Sequence, residues 1–523
     1  MSRTLTTLLD DAAAATPDLD LVRGETRTCT YAQLAERSRR VAGGLAALGL
    51  RPGDRVAIAA PNGPEWLEFL FGAARLGLVV VTLNVRYRES ELEYMLGRSG
   101  SRLLLSAPAD GDADLRGLHR DLRPRVPAVE HLRYLGDGPD GFESLLGDPA
   151  AAPAHTPQPS DAAVLLYTSG TTGRPKGAVL THGSILASAR AQVARTGSRP
   201  GDVMLGVMPL NHVGGLTCTV TATMLAGGTV VMPPGYSPGG ALRSLAADRV
   251  TVFAGVPTMW SLMLSHPDFP GTDTGSLRVA VIGGSNAEPA LCEAISRGFP
   301  SARLSNLYGM TETSGAVVLS APDDSLDTVA QTLGTPLDGV EIRVVDDAGE
   351  VVAPGADGEL QVRGEQVADG YWQMPEETAA TFLPGGWLAT GDVVAVTPTG
   401  HLRLRGRRKE MFLQGGYNVY PVEIENVLTR HPAVAMAAGI GVPDPVLGEI
   451  GRYYVVPRDP AALDVDDLLG YCRAHLADYK VPRQVALVPE LPTTPSGKVA
   501  KSVLREWAAG TAGQRTAGHR TGG

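Results

Sequence analysis

Between residues 55 and 82 the chain alternates three runs. They are RVAIA at Arg55–Ala59, EWLEFLFGAARL at Glu65–Leu76, and LVVVT at Leu78–Thr82. The outer runs are short and β-branched, and the middle one has apolar residues at helical spacing. This strand–helix–strand rhythm restricts the fold more than any other feature. A helical crossover returns the chain in its original direction, so the strands pair in parallel and the sheet needs helices on its faces. The rhythm recurs at Gly228–Met232, Ala241–Asp248 and Thr251–Ala254, and again at Arg278–Ile282 followed by Pro289–Arg297. After about residue 335 the texture changes to short strands joined by turns: Val340–Val345, Gly358–Val362 and His401–Leu404. Beyond Arg405 a compact segment to about Trp507 carries two strands and two helical patterns, Pro421–Thr429 and Val465–Leu476. We therefore expect an α/β protein. A large N-terminal region, 1–405, holds layered parallel-rich sheets and helices plus a β-rich subdomain. A small, mobile α+β domain follows at 406–507. A disordered tail, 508–523, completes the chain, because Ala508–Gly523 shows no apolar periodicity.

Composition narrows the function. The chain has 523 residues and a formal net charge of −10, without the basic footprint of a nucleic-acid binder or a polybasic membrane anchor. No apolar run approaches the roughly 18 residues of a membrane span, and the first residues carry acids where a signal peptide is apolar. The four cysteines, Cys29, Cys218, Cys292 and Cys472, lack the spacing of a zinc site or a disulfide framework. A soluble, cytoplasmic protein with reduced thiols is expected. Glycine is in excess, at 63 residues, and only five of these lie in the tail, so the question becomes which loops use the rest.

The most informative loop is Leu165–Gly177, LLYTSGTTGRPKG. A strand runs into Thr168, Ser169, Gly170, Thr171, Thr172 and Gly173, and Lys176 follows. Small residues let backbone N–H groups approach an anion, hydroxyls add donors, and the lysine adds a charge. This is a phosphate cradle or simply a flexible Ser/Thr/Gly loop, and composition leaves both open. It is not a Walker motif, whose glycines are spaced differently and precede Lys-Ser/Thr.

The loop closely resembles the phosphate loop of the adenylate-forming superfamily, which contains acyl- and aryl-CoA synthetases, luciferases and peptide-synthetase adenylation domains. Further segments match in the family's order: Pro209–Gly215 (PLNHVGG), Asn306–Glu312 (NLYGMTE), Thr390–Asp392 (TGD), Arg405–Met411 (RGRRKEM), Gly415–Glu425 (GGYNVYPVEIE) and Pro495–Lys498 (PSGK). The resemblance runs from Thr30-Tyr31 to about Leu504. It implies an AMP-forming acid–thiol ligase that uses ATP, Mg²⁺ and CoA to convert a carboxylic acid to an acyl-adenylate and then a thioester. An acyl carrier protein as acceptor, a non-carboxylate acid or an unusual nucleophile are the alternatives, and a homodimer is left open.

The resemblance also implies residue roles, each with a physical motive. Carboxylate and α-phosphate are both anions, so neutralisation and alignment are the main tasks. Lys498 is implied to bridge them. Thr311 is implied to bond the α-phosphate or the acid, and Glu312 to hold Mg²⁺, which favours carboxylate and phosphate oxygens. On residue type alone, Thr311-Glu312 also reads as a helix-start cap and first-turn acid. Thr168, Ser169, Gly170, Thr171, Thr172 and Lys176 are implied to hold the phosphates. Gly283, Gly284, Ser285, Leu307 and Gly309 are implied to border the nucleotide. Tyr308 stacks on adenine, Asn306 bonds its exocyclic amine, and Asp392 takes both ribose hydroxyls with Arg407 beside them. His212 is implied to gate an acyl pocket lined by Val213, Gly214, Gly284, Gly315 and Ala316. Lys409 is implied to be the hinge about which the small domain turns, and Gly415 and Gly416 to line the channel for the CoA thiol.

Four departures shape the substrate expectation. Leu413 and Asn418 stand where coumarate–CoA ligase-like enzymes carry lysine and glutamine. Asn211 replaces an aromatic residue before the gate, and Ser285-Asn286 replaces small apolar residues or proline. The GGYNVYPVEIE segment is more similar to bacterial fatty-acyl and steroid-side-chain CoA synthetases. Small, uncharged pocket positions favour a bulky apolar or aromatic acid over acetate or malonate. Asn211, Ser285 and Asn286 are candidates to meet a polar ring substituent.

Overall fold

The computed structural model describes residues 3–510 except 26, 169–174, 234, 285–286, 460–462 and 495–497. Among them the chain builds four main sheets. The largest has nine strands in the order Thr335–Pro336, Gly315–Leu319, Arg303–Met310, Val279–Gly283, Val252–Gly255, Val203–Leu205, Thr229–Met232, Asp20–Gly24 and Thr28–Thr30. Its central pairs are parallel and its edges antiparallel. The second has six strands in the order Lys176–Thr181, Ala162–Thr168, Val79–Thr82, Arg55–Ala59, Leu103–Ser106 and His131–Tyr134. All its pairs are parallel except Lys176–Thr181 with Ala162–Thr168. The alternating pattern at 55–82 thus closes as parallel pairing of Arg55–Ala59 with Val79–Thr82, as expected.

The helix between those strands, Pro64–Arg75, explains how the two sheets are joined. Proline opens it and Trp66, Leu67, Phe69, Leu70 and Phe71 are all at most 1% exposed. A helix apolar on nearly every side belongs inside the core. One apolar cluster accordingly joins its side chains to Val22, Val230 and Val281 of the nine-stranded sheet and to Ile58, Val80 and Val164 of the six-stranded one. Of its two acids, Glu68 is fully buried and accepts from Arg27 at 2.6 Å and Arg37 at 2.8 Å. A buried carboxylate needs such partners. Helices Tyr31–Ala47 and His182–Thr196 begin at Thr30 and Thr181, whose hydroxyls accept from the third residue of each helix.

The β-rich part is an antiparallel sheet of Glu341–Val345, Gly358–Arg363, Trp387–Val396, Phe382–Leu383 and Leu402–Arg407. The last strand continues to Arg407, which pairs with Asp392. The strand thus runs two residues past 405, to the second arginine of the RGR motif. The C-terminal segment has its own apolar clusters around Phe412, Ile424, Tyr453 and Leu468, and around Ile440, Tyr454 and Leu504. Among the described residues it holds five strands where two are expected: Phe412–Gln414, Tyr417–Val419, Val434–Asp444, Gly448–Pro457 and Gln484–Leu487. Helix Lys501–Gly510 also extends past the expected start of the tail at 508, anchored by the fully buried Leu504. Residues 511–523 lie outside the described residues. All four cysteines are buried and free. Among the described residues no helix is long and apolar enough to cross a membrane.

Candidate active site

The implied site residues gather where the parallel strands end. Val279–Gly283 runs into Gly284, Arg303–Met310 into Thr311-Glu312, and Ala162–Thr168 into the phosphate loop. Crevices beyond the carboxyl ends of parallel strands are the usual ligand sites of such sheets. Ser169, Gly170, Thr171, Thr172 and Gly173 lie outside the described residues, as does Ser285. The two strands flanking the loop pair Thr168 with Lys176, so the loop is closed at its base.

Glu312 lies on a single tight turn, Thr311–Thr313, and both Thr311 and Glu312 are buried. The expected alternative of a helix start is met only by this one turn. The Tyr371 hydroxyl donates to Glu312 Oε1 at 2.7 Å, and the Glu312 carbonyl accepts from Ala368 N–H. Burial and the neighbouring Glu312 push the Tyr371 hydroxyl up, so it remains a donor. Lys176 Nζ stands 4.8 Å from the centre of the Tyr371 ring. The phosphate-loop lysine and the acid implied to hold the metal therefore meet around one tyrosine.

A second cluster forms at the nucleotide side. The Tyr308 hydroxyl donates to Asp392 Oδ2 at 2.6 Å, and Arg407 Nε lies 3.1 Å from Asp392 Oδ1. Burial pushes the Tyr308 hydroxyl well up, reinforced by the Asp392 charge, so the tyrosine donates. Burial also pushes the Asp392 carboxyl up, opposed by Arg407 and by the Tyr308 hydrogen bond. One lone pair on each Asp392 oxygen remains for further donors, which suits a diol. The Asn306 side chain is buried, and its Nδ2 donates to the Thr332 carbonyl at 2.9 Å. That bond ties a strand to the following chain and orients the amide; the adenine amine is itself a donor, so the expected contact would fall to Oδ1.

His212 ends the segment that follows Val203–Leu205. Its Nδ1 accepts from Gly214 N–H at 3.0 Å, which leaves the ring proton on Nε2. Burial, helped by the Lys498 charge, lowers its pKa to about 4, so the ring is neutral. Asn62 holds this segment in place, donating to the Met208 carbonyl at 2.9 Å and accepting from Leu210 N–H at 2.9 Å. Val213 is buried and starts a turn that continues as a π-helical stretch, Leu216–Thr221. Strand residues Gly315 and Ala316 face that stretch. A Cβ on Gly315 would come within 3.1 Å of Cys218 Sγ and 3.3 Å of Thr217 Cγ2. Ser188 donates to the Ala316 carbonyl at 3.1 Å.

Lys498 arrives from the small domain. A Cβ on Gly284 would lie 3.7 Å from Lys498 Cε, so the lysine passes over the strand end. Burial and the Arg407 charge lower its pKa, while Asp392 and Glu312 oppose that shift. Lys498 thus joins His212, Glu312, Asp392 and Arg407 in one cleft. Gly283 and Gly309 carry a different reason than ligand room. A Cβ at Gly283 would lie 2.6 Å from the Leu307 carbonyl oxygen, and one at Gly309 would overlap the Gly315 carbonyl. Both are close approaches between strands. Leu307 lies on the strand of Gly309 and pairs with Gly283 on the neighbouring one. Lys409 stands exposed in the turn between Leu402–Arg407 and Phe412–Gln414, where a hinge belongs. Gly415 and Gly416, with φ of 60° and 86°, form the two-residue tip of the hairpin joining Phe412–Gln414 and Tyr417–Val419. A Cβ at Gly415 would meet only Leu447 Cδ2, at 3.4 Å, and one at Gly416 nothing within 4 Å, so no atom of the Lys498 cluster packs on the tip in this conformation.

Sequence comparison decides the family. The AMP-binding enzyme family matches residues 9–372, and the AMP-binding enzyme C-terminal domain matches residues 423–498. The chain belongs to the AMP-binding enzyme family. It is similar to a feruloyl-CoA synthase of Amycolatopsis sp, 38% identical over 494 residues, covering 94% of this chain and 96% of that one. It is also similar to the 3-[(3aS,4S,7aS)-7a-methyl-1,5-dioxo-octahydro-1H-inden-4-yl]propanoyl:CoA ligase of Mycobacterium tuberculosis, 37% identical over 512 residues, covering 96% and 99%. Among solved structures it resembles the anthranilate CoA ligase AuaEII in complex with anthranoyl-AMP, at a TM-score of 0.90 and 27% identity, covering 98% and 100%. This family member is an AMP-forming acid–thiol ligase, which activates an acid with ATP as an acyl-adenylate and forms the CoA thioester. Tyr371 and Asn62 are the site residues that sequence reasoning missed. The only local hint of Tyr371 is an aromatic pair in the polar stretch ADGYWQMPEET.

Proposed function

We propose that this enzyme activates a bulky apolar or aromatic carboxylic acid, with the residues above in the following roles. Lys498 lies between acid and nucleotide and neutralises the approach of carboxylate to α-phosphate. Thr311 donates beside it. Thr168, Lys176 and the loop at 169–173 hold the phosphates. Tyr308 and Asp392, with Arg407, hold the nucleoside. Glu312 is a single buried carboxylate oriented by Tyr371. That fits Mg²⁺, which binds through one or two carboxylates together with substrate phosphates and needs no cage of protein ligands. When bound there, the ion offsets phosphate charge. Convergence of Lys498 with His212, Glu312 and Asp392 carries this reading.

Two observations support the choice of acid. His212 at the mouth of the pocket is neutral, and Val213, Gly214, Gly315, Ala316, Thr217 and Cys218 bring no charge. An anionic second group, as in malonate, would be left unpaired there. The relatives act on a feruloyl acid, a bicyclic propanoate and anthranilate by their names, all bulky acids. For the second half-reaction, we propose that the chain from Arg408 onward turns about Lys409, withdraws Lys498 and brings the Gly415-Gly416 tip to the cleft. Four buried, free thiols suit a reducing compartment, the cytoplasm.

Pyrophosphate release measured over a panel of acids, with and without CoA, tests the reading. Benzoate-type and medium-chain acids are expected to outpace acetate and malonate, with thioester formed only when CoA is present. Preference for acetate or malonate overturns the substrate class, and pyrophosphate release without CoA-dependent thioester points to a carrier protein.

A further inference from the structure

Lys498 has a long side chain with many conformers to lose, so its usefulness depends on how firmly its backbone is held. Two attachments restrict the segment that carries it. On the upstream side the Lys498 carbonyl accepts from Thr494 N–H at 2.7 Å, the Thr494 hydroxyl accepts from Lys498 N–H at 3.2 Å, and Thr493 bridges Val499. On the downstream side Lys501, at the first position of helix Lys501–Gly510, donates to Glu410 Oε2 at 2.7 Å and Glu425 Oε1 at 2.9 Å. Glu410 is the residue immediately after Lys409. Glu425 belongs to helix Pro421–Leu428, and the same Oε1 accepts from Gly439 N–H at 2.7 Å.

The Lys501 and Glu425 side chains are only 17% and 13% exposed. Two carboxylates on one lysine in such a place repel each other unless the cation is present, so the bridge depends on the lysine charge. An ordinary structural ion pair would join any two elements. This one joins the exit of the hinge to the segment bearing Lys498, three residues away.

We propose that Lys501 is a positioning residue for the acid-activation step, fixing through Glu410 and Glu425 how far Lys498 reaches into the cleft. The inference rests on the role given to Lys498 above. All three members of the bridge lie on the small-domain side of Lys409, so the bridge travels with that domain. It matters while Lys498 is in use, and it is silent when Lys498 is withdrawn for thioester formation.

The test compares Lys501→Met, Lys501→Arg and Lys498→Ala in the full-length enzyme. Pyrophosphate exchange reads acid activation, and thioester formation from a synthetic acyl-adenylate reads the second half-reaction. Lys501→Met is expected to lower kcat for exchange about 10–100-fold, the scale of an ångström-sized misplacement. KM for ATP and acid and the thioester rate are expected to stay within about twofold, since neither depends on Lys498 placement. Lys501→Arg keeps a cation that can span two carboxylates and is expected to restore exchange to within about fivefold. If Lys501→Met does not fold, Glu410→Gln replaces it, with a smaller loss confined to exchange. Equal losses in both half-reactions, a change in KM alone, or unchanged exchange overturns the inference. Undiminished exchange in Lys498→Ala overturns the reading of the site instead, whereas inactive Lys498→Ala beside fully active Lys501→Met overturns only this inference.

Discussion

Replacing Tyr371 by phenylalanine removes one oxygen atom and isolates what that oxygen does. The hydroxyl donates to Glu312 at 2.7 Å inside a buried site. The ring also serves as a face for Lys176 at 4.8 Å and meets Phe382 edge-on at 5.3 Å, and phenylalanine keeps both contacts. A hydrogen bond to a charged group contributes about 1.5–3 kcal/mol, and its loss leaves a buried carboxylate oxygen without its donor. Converted to rate, that range is about 10–150-fold. Part of the loss falls on orientation of Glu312 for the metal, so Tyr371→Phe is expected to lower kcat for pyrophosphate release at least about tenfold and to raise the Mg²⁺ concentration needed for half-maximal rate. The assay is pyrophosphate release at saturating ATP and acid across a Mg²⁺ titration, with a melting curve to confirm the fold. Wild-type kcat together with a wild-type Mg²⁺ requirement refutes the reasoning, since the hydroxyl would then have no bearing on Glu312 in the reaction.

Two further outcomes follow from the structure. Gly309→Ala forces a Cβ onto the Gly315 carbonyl between paired strands, so the variant is expected to lose about 3 kcal/mol or more of stability, read as a fall in Tm; an unchanged Tm contradicts the close approach. Glu288, on the large domain, bonds Thr429 and faces Glu425 and Arg458 of the small domain; burial, then Glu425, raises its carboxyl from 4.5 to about 7. A raised carboxyl favours the protonated form in the closed arrangement, so its contribution is full below 4.5 and is lost as pH rises through about 7. Fluorescence transfer between the two domains is expected to fall across that window in the parent enzyme and to stay flat in Glu288→Gln; equal pH dependence in both contradicts the assignment.

Much of the fold was legible because periodicity is local. The strands at Arg55–Ala59 and Val79–Thr82 and the helix between them announce themselves within 28 residues. The end of the strand Leu402–Arg407 was less so, because Arg405 and Arg407 look alike in sequence and only the pairing of Arg407 with Asp392 shows where the ladder stops. The extra strands of the small domain escaped for a related reason. Phe412–Gln414 and Tyr417–Val419 are three residues each and flank a glycine pair that reads as a motif before it reads as a hairpin. In the site, Lys498, Glu312, Asp392 and His212 were placed through their motifs, and the structure brings them together. Tyr371 and Asn62 were not, because their importance lies in contacts made 59 and 146 residues away.

The central claim is that Lys498, delivered by the small domain, performs acid activation and takes no part in thioester formation. Pyrophosphate exchange and thioester formation from a synthetic acyl-adenylate, measured side by side in Lys498→Ala, test it most directly. The account predicts that exchange falls by at least about a hundredfold, as for loss of a main electrostatic group, while the thioester rate stays close to that of the parent enzyme. Exchange at the parent rate, or equal loss of both half-reactions, would contradict it.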